Sequence, residues 1–365
     1  MKYYLIAGEA SGDMHGATLM RSIRALDPAA EFRFWGGDAM AAVGGVQVKH
    51  IRDLAIMGFV EVVAHLGTVL GNLRRCKQDI AAYRPDVVVG IDYPGFNLKI
   101  EAWAHAQGFR TVHYIAPNLW AWKKNRIKKM RRTEDLLCYI LPFERDFFAA
   151  NNMPQAVYVG HPLLDMVNGF DKHTQADDRI VALLPGSRRM ELKNSLPMMM
   201  QLAVRHPEYK FVVAGMSLLD KALYDRYIPA DSGVEVVFDQ TYALLARAHA
   251  AVVCSGTATL ETALFDVPQV VCYRANPVSI AIAKAIVSRR IQYISLVNLI
   301  ANRPVVAELI QEDFNAERLE REFHRVADDE SCRSHMKAQY AEVRMLLGDG
   351  GASQRAARAI LDLIK

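Results

Sequence analysis

Residues 179–191 read RIVALLPGSRRME: a short, unbroken apolar run that stops at Pro185-Gly186, with a helix-compatible segment beginning near Glu191. A surface strand alternates apolar and polar residues, whereas a run apolar on both faces belongs to a parallel strand covered by helices on each side. The same unit recurs in both directions. Downstream lie KFVVAG (210–215), VEVVFD (234–239), AAVVCS (250–255) and PQVVCYR (268–274). Upstream lie YYLIAG (3–8), EFRFWGG (31–37), DVVVGID (86–92), TVHYIAP (111–117), LLCYILP (136–142) and AVYVG (156–160). Longer amphipathic segments separate these runs, which is the βαβ rhythm of a doubly wound α/β sheet. The rhythm restarts after a polar stretch near Asn168–Arg179. Two Rossmann-like domains, 1–167 and 168–340, with a ligand cleft between them are therefore expected. In Ser353–Lys365, residues Ala356, Ala359, Ile360, Leu363 and Ile364 recur at helical spacing, so a terminal helix buries one face.

The 365 residues are long for one core, and 52% hydrophobic with 23% charged residues is ordinary globular composition. No window approaches the roughly 18 uninterrupted apolar residues of a spanning helix. The opening MKYYLIA reads as a first strand rather than a signal peptide, because Glu9 and Asp13 interrupt any apolar region. Cys76, Cys138, Cys254, Cys272 and Cys332 are odd in number and widely spaced, which indicates neither a disulfide frame nor a zinc site and fits a reducing cytosol. A net charge of +4 is too small for the whole molecule to act as a polycation, so an anionic partner must meet a local patch. The absence of short repeats and low-complexity tracts excludes a solenoid or a disordered tail.

The turns at the strand ends carry the chemistry. Gly8-Glu9-Ala10-Ser11-Gly12-Asp13 lacks the G-x-G-x-x-G spacing, and its carboxylates repel a pyrophosphate. Glu9 suits sugar hydroxyls or proton transfer; helix capping by Ser11 or Asp13 is the structural alternative. Asp92 ends its strand before Tyr93-Pro94-Gly95-Phe96-Asn97, placed either as a general base, its pKa raised by burial against Tyr93 and Phe96, or as a turn-forming residue. In the second half, Gly186, Ser187 and Arg188 offer close backbone approach, a hydroxyl and a guanidinium at a helix start. Ser255, Gly256 and Thr257 repeat the arrangement, and Glu261 suits ribose hydroxyls. Two such cradles in one domain describe a nucleoside diphosphate site, although each alone reads as a simple turn. Asn298 is placed in a loop facing the cleft, followed by Glu308 and Gln311. Trp120 and Trp122 adjoin Lys123, Lys124, Arg126 and further cations up to Arg132, with no acid before Glu134. That cluster reads as a patch for phosphate or anionic lipid headgroups, with nucleic acid or a merely solvated helix as alternatives. Leu54–Val63 and Met198–Met200 are apolar segments read first as core. No D-x-D and no paired histidines support a metal, so leaving-group charge falls to Arg188 and helix amides.

Taken in order, GEASGD (8–13), MGFVEV (57–62), VGIDYPGFN (89–97), HYIAPNLWAW (113–122), LPFE (141–144), VGHPL (159–163), LLPGSR (183–188), SGTATLE (255–261) and SLVNLIANRP (295–304) resemble the lipid-A-disaccharide synthase family over nearly the whole chain. The resemblance implies a GT-B fold and an inverting, cofactor-free transfer from UDP-2,3-diacylglucosamine to 2,3-diacylglucosamine 1-phosphate (lipid X), releasing UDP and a β-1,6 disaccharide. It implies peripheral attachment to the cytoplasmic face of a Gram-negative inner membrane and no nucleic-acid partner. Carried over by position, Asp92 becomes the base for the acceptor 6-hydroxyl and Glu9 its support. Arg188 becomes the diphosphate ligand, Ser255, Gly256, Thr257 and Glu261 the nucleotide contacts, and Asn298 a functional residue. The segment 341–365 is expected to pack back on the N-terminal domain, and exchange of C-terminal portions in a homodimer is compatible with it. The family's loop after Asp92 carries a further acid where this chain has Gly95, so a mechanism with two carboxylates in that loop does not transfer. The rival readings are another UDP-sugar enzyme of the same fold, an epimerase or peptidoglycan glycosyltransferase, and a nucleic-acid-binding module around Lys123–Arg132.

Overall fold

A computed structural model describes residues 1–54, 66–120, 126–171, 177, 179–275 and 292–365. The MGFVEV segment, most of the apolar Leu54–Val63 stretch, and Trp122, Lys123 and Lys124 lie outside them. The chain divides into two compact units, Met1–Asp165 with Gly350–Lys365, and Met166–Asp349.

The first unit runs β1 (Lys2–Ala7), α1 (Ala10–Leu26), β2 (Glu31–Gly36), α2 (Asp38–Val43), β3 (Val46–His50), α3 (Leu66–Tyr83), β4 (Val87–Ile91), α4 (Pro94–Ala106), β5 (Arg110–Tyr114), α5 (Arg126–Thr133), β6 (Leu136–Tyr139), α6 (Glu144–Ala150), β7 (Ala156–Tyr158) and α7 (Pro162–Asn168), the last crossing into the second unit. Its seven strands are ordered β3-β2-β1-β4-β5-β6-β7, and each neighbouring pair runs parallel. Because β1 is followed on one side by β2 and on the other by β4, the topology switches at the β1/β4 seam. Open α/β sheets bind ligands outside the strand C-termini at such a seam.

The second unit runs β8 (Ile180–Leu184), α8 (Arg189–Arg205), β9 (Lys210–Gly215), α9 (Lys221–Asp225), β10 (Glu235–Phe238), α10 (Thr241–Leu245), β11 (Ala250–Cys254), α11 (Thr257–Leu264), β12 (Gln269–Tyr273), α12 (Leu296–Ala301), β13 (Ala307–Ile310), α13 (Ala316–Ala327) and α14 (Glu330–Leu347). Its order, β10-β9-β8-β11-β12-β13, switches at the β8/β11 seam. The central strands β4, β8 and β11 are buried at every residue, as unbroken apolar runs demand. Two strands escape the sequence pattern. Both β3 (VQVKH) and β13 (AELI) are sheet edges that carry polar residues, so neither forms an apolar run.

Helix α14 passes unbroken through position 341, so the segment that returns to the first unit begins at Gly350 rather than 341. The break is made by Gly348-Asp349-Gly350-Gly351, where Gly348 (φ 77°) and Gly351 (φ 90°) take backbone conformations that side chains disfavour. Helix α15 (Ala352–Ile364) then packs against α1. Its buried face is Ala352, Ser353, Ala356, Ala357, Ile360 and Leu361, with Ala359, Leu363 and Ile364 at the margins. The Asp165 carboxylate accepts the amides of Gly351 and Ser353 at its first turn, and Arg355 Nε donates to the Val159 carbonyl at 2.8 Å.

Nearby, burial lowers the pKa of His15 to about 4 and of His161 to about 3. Both are neutral in the folded chain, so as pH falls below about 6.5 the unfolded chain binds these protons first. Their contribution to stability is fully present above that pH and is lost as pH falls toward the folded values. In denaturant titrations from pH 7 to 5, His15→Gln is expected to remove up to roughly 1.4 kcal/mol per pH unit from the wild-type slope. An unchanged slope would show that His15 accepts its proton within the folded state.

Candidate active site

At the β1/β4 seam, Ala7 pairs with Ile91, so the loops that carry Glu9 and Asp92 are neighbours. Asp92 (φ 46°) and Tyr93 (φ 49°) adopt consecutive left-handed conformations, each costing about 1–3 kcal/mol outside glycine. The surroundings enforce them. Asn97 is buried and donates through Nδ2 to the carbonyls of Ile6 (3.1 Å), Ile91 (3.3 Å) and Asp92 (2.7 Å), while the Asp92 amide donates to the Tyr114 carbonyl at 2.9 Å. The Tyr93 ring lies against Gly8, where a Cβ would come within 2.3 Å of it, and stacks on Phe96 at 5.8 Å between centroids. Burial, then the negative charge of Glu9, pushes the Tyr93 phenol up, which places Glu9 beside this turn. Strain held this firmly beside a half-buried carboxylate is characteristic of a working site. Asp13 does something else: its carboxylate accepts the amides of Gly37 (2.7 Å), Ala39 (2.9 Å) and Met40 (3.1 Å) and fixes the start of α2, not its own helix.

Next to this turn is a hollow of about 170 Å³, walled by Pro94, Gly95 and Lys99 on α4 and by Arg126, Lys129 and Thr133 on α5. Burial lowers the pKa of the Arg126 guanidinium. Deeper in the unit, Glu101 meets His113 at 2.8 Å, and burial drives the carboxyls of Glu101 and Glu134 well up toward their neutral form. Trp120 is not spread on the surface as expected of an interfacial aromatic. It is half-buried, its indole nitrogen is shielded from solvent, and its ring meets Phe143 edge-on at 5.1 Å, so packing accounts for it.

At the β8/β11 seam, Val253 pairs with Leu184 and the two expected cradles follow side by side. They differ. In the first, Gly186 has φ 106° and the chain folds back so that the Glu191 carboxylate accepts the amides of Ser187 (2.9 Å) and Arg188 (3.3 Å). These amides are thus filled by an internal anion in a capping box. What this turn offers a ligand is the Arg188 side chain, half exposed, its Nη1 3.6 Å from Glu191 Oε1. In the second cradle, Ser255 is also committed: its amide donates to the Cys272 carbonyl (2.8 Å) and its hydroxyl to the Ile294 carbonyl (3.2 Å). Beyond it, Gly256 and Thr257 are exposed, and among the described residues no side chain caps α11 and nothing lies within 4 Å of the position of a Gly256 Cβ. The Thr259 amide turns back to the Gly256 carbonyl at 3.2 Å, and the amides ahead of it lie at an exposed helix start, where first-turn N–H groups point away from the helix. Glu261, one turn along, accepts the Tyr242 hydroxyl at 3.0 Å; burial raises its pKa and that bond lowers it.

Asn298 lies buried in helix α12, not in a cleft-facing loop. Its Oδ1 accepts the amides of Val305 (2.8 Å) and Val306 (2.9 Å), and its Nδ2 donates to the Val306 carbonyl and Glu308 Oε1, both at 2.9 Å. Glu308 in turn accepts the amides of Ile294 and Ser295. The amide is spent holding the chain whose Ile294 carbonyl receives the Ser255 hydroxyl. Sequence reading missed the parts played by Glu191, Asn97 and Tyr242, and it named Glu308 without its bonds to the Ile294 and Ser295 amides. Only Glu191 had a local signal, its position three residues after the turn.

Two doubly wound parallel units, each reversing its strand order at a central seam, define the GT-B fold class. Solved structures agree on the fold: an S. aureus MnaA–UDP co-structure (TM-score 0.70, 14% identity, covering 99% of this chain and 97% of that one) and the glycotransferase of kitacinnamycin (TM-score 0.65, 14% identity, 100% and 99%). The family model described as Lipid-A-disaccharide synthetase matches residues 3–361. A relative from Geobacter metallireducens named lipid-A-disaccharide synthase is 36% identical over 374 residues, covering 99% of this chain and 96% of its own length. The chain belongs to the lipid-A-disaccharide synthase family.

Proposed function

We propose that the chain transfers the diacylglucosaminyl group of UDP-2,3-diacylglucosamine to the 6-hydroxyl of lipid X with inversion. The new C–O bond forms at the anomeric carbon as the bond to the UDP oxygen breaks, and the hydroxyl proton passes to a carboxylate. Asp92 is that acceptor, and Glu9 orients the sugar beside it. The leaving diphosphate is met by Arg188 and by the amides and dipole of the α11 start at Gly256-Thr257, while Glu261 receives ribose hydroxyls. The carrying observation is the difference between the two cradles: one is closed by Glu191, whereas the other, after the paired strand β11, has no side-chain cap among the described residues. Gly186 and Ser187 serve by shaping the turn that projects Arg188.

The Lys99, Arg126 and Lys129 hollow suits the acceptor's phosphate. No helix among the described residues is long and apolar enough to cross a membrane. Membrane association is read instead from α5, where Lys128, Lys129, Arg131 and Arg132 are exposed and suit anionic headgroups at the cytoplasmic face of the inner membrane. In a homodimer formed by exchange of C-terminal portions, the α1–α15 contact forms between copies. Mass spectrometry after incubation with both substrates should show UDP and disaccharide phosphate. Conversion of the UDP-sugar without acceptor would favour an epimerase instead, and unchanged substrates with tight oligonucleotide binding the nucleic-acid reading. Lys129→Glu is expected to raise the acceptor KM about tenfold and leave UDP affinity unchanged, a single charged contact being worth about 1.4 kcal/mol or more. An unaltered KM would remove the hollow from the acceptor site.

A further inference from the structure

We infer that the second unit holds one divalent transition-metal ion between His206, Glu320 and His324, at the sheet end opposite the β8/β11 seam loops. Glu320 and His324 are four residues apart on one face of α13, and His206 caps the C-terminus of α8, against which α13 packs. One ligand atom from each of the three lies within 4.8 Å of the others. Since α8 begins beside the end of β8, its C-terminus lies at the far edge of the unit, away from the nucleotide loops.

Two details distinguish this cluster from an ordinary ion-pair network. His206 is only 6% exposed, yet its Nε2 has no hydrogen-bond partner among the described residues and faces Glu320 Oε1 at 3.7 Å, beyond bonding distance. A buried nitrogen left unmatched costs about 1–3 kcal/mol unless something else satisfies it. The second detail is that each histidine has its other ring nitrogen occupied by a carboxylate. His206 Nδ1 pairs with Glu208 Oε1 at 3.0 Å, and His324 Nδ1 pairs with Asp328 Oδ2. A carboxylate on Nδ1 fixes the proton there and leaves the Nε2 lone pair for a metal.

The local charge also favours a cation. Glu208, Glu320 and Asp328 surround the two imidazoles, while Arg205 takes Glu320 Oε2 and leaves Oε1 facing His206. Two imidazole nitrogens with one carboxylate oxygen match Zn²⁺ in a tetrahedral site completed by water, and suit Ca²⁺ or Mg²⁺ poorly, because those ions prefer all-oxygen shells. Zinc–nitrogen bonds of about 2.0–2.1 Å require the ligand atoms to draw together. The His324 side chain, 49% exposed, has the freedom to close that gap. An ion here ties α13 to the end of α8 and acts on stability rather than on sugar transfer.

The test uses the untagged full chain, stripped with chelator and dialysed. Addition of Co²⁺ is expected to produce the visible absorption of a tetrahedral nitrogen/oxygen site that saturates at one equivalent and is displaced by Zn²⁺. Excess Zn²⁺ should raise the thermal midpoint by several degrees. His324→Ala, which removes a half-exposed ligand, and Glu320→Gln should each abolish the absorption and the rise. Asp328→Asn should weaken binding about tenfold or more, and exposed His335→Ala should change neither readout. Absence of saturable binding overturns the proposal. So does absorption that survives His324→Ala, or that depends on the half-exposed Cys332.

Discussion

Asp92→Asn is expected to bind UDP as the parent does and to turn over about 10²- to 10⁴-fold more slowly. Asparagine has nearly the same shape as aspartate and tolerates the left-handed conformation at this position, so the clamp made by Asn97 and the Tyr114 carbonyl survives. What disappears is the proton acceptor. A readout that separates this from lost packing is the pH profile: the limb of kcat/KM that reports the base should vanish in the variant. Glu9→Gln, as an orienting group, should cost less and keep that limb. Near-normal turnover by Asp92→Asn would eliminate Asp92 as the base and leave its strained turn a structural feature.

Arg188→Ala is expected to lower kcat/KM for the donor by about 10²- to 10³-fold, affecting donor binding and departure of the diphosphate together. The helix behind it should not suffer, because Glu191 caps α8 through the backbone amides of Ser187 and Arg188, which alanine keeps. The thermal midpoint should therefore move little. Arg188→Lys should recover only part of the loss, since an ammonium restores charge without the planar fork. Loss confined to kcat with unchanged UDP affinity would place the guanidinium away from the bound diphosphate.

Both seams were legible in the sequence because central parallel strands must be apolar on both faces, and each such run delivers its next few residues to the ligand-binding edge of the sheet. That logic puts Glu9, Asp92, Arg188 and Gly256 just past strand ends and Glu261 one turn further along, but it assigns them no roles. The division of labour at the second seam was not legible. Gly186-Ser187-Arg188 and Ser255-Gly256-Thr257 look alike as strings, and only the fold shows that Glu191 fills one turn and that no side chain among the described residues caps the other. Asn298 misled because an amide's hydrogen-bond partners, here the Val305–Val306 backbone and Glu308, are fixed by tertiary structure. The contact of Trp120 with Phe143 was not legible either, because its place in the string beside a basic run says nothing of that ring. His206, Glu320 and His324 were invisible as a group because the first lies far from the other two along the chain.

The account stands most directly on where uridine diphosphate binds, and a crystal structure of the chain soaked with UDP settles it. The diphosphate is predicted against the backbone amides at Gly256-Thr257, within hydrogen-bonding distance of the Arg188 guanidinium, with ribose hydroxyls on Glu261 and Glu191 still capping its own helix. A diphosphate seated on the Ser187 and Arg188 amides with Glu191 displaced, or one bound away from the β8/β11 seam, would contradict it.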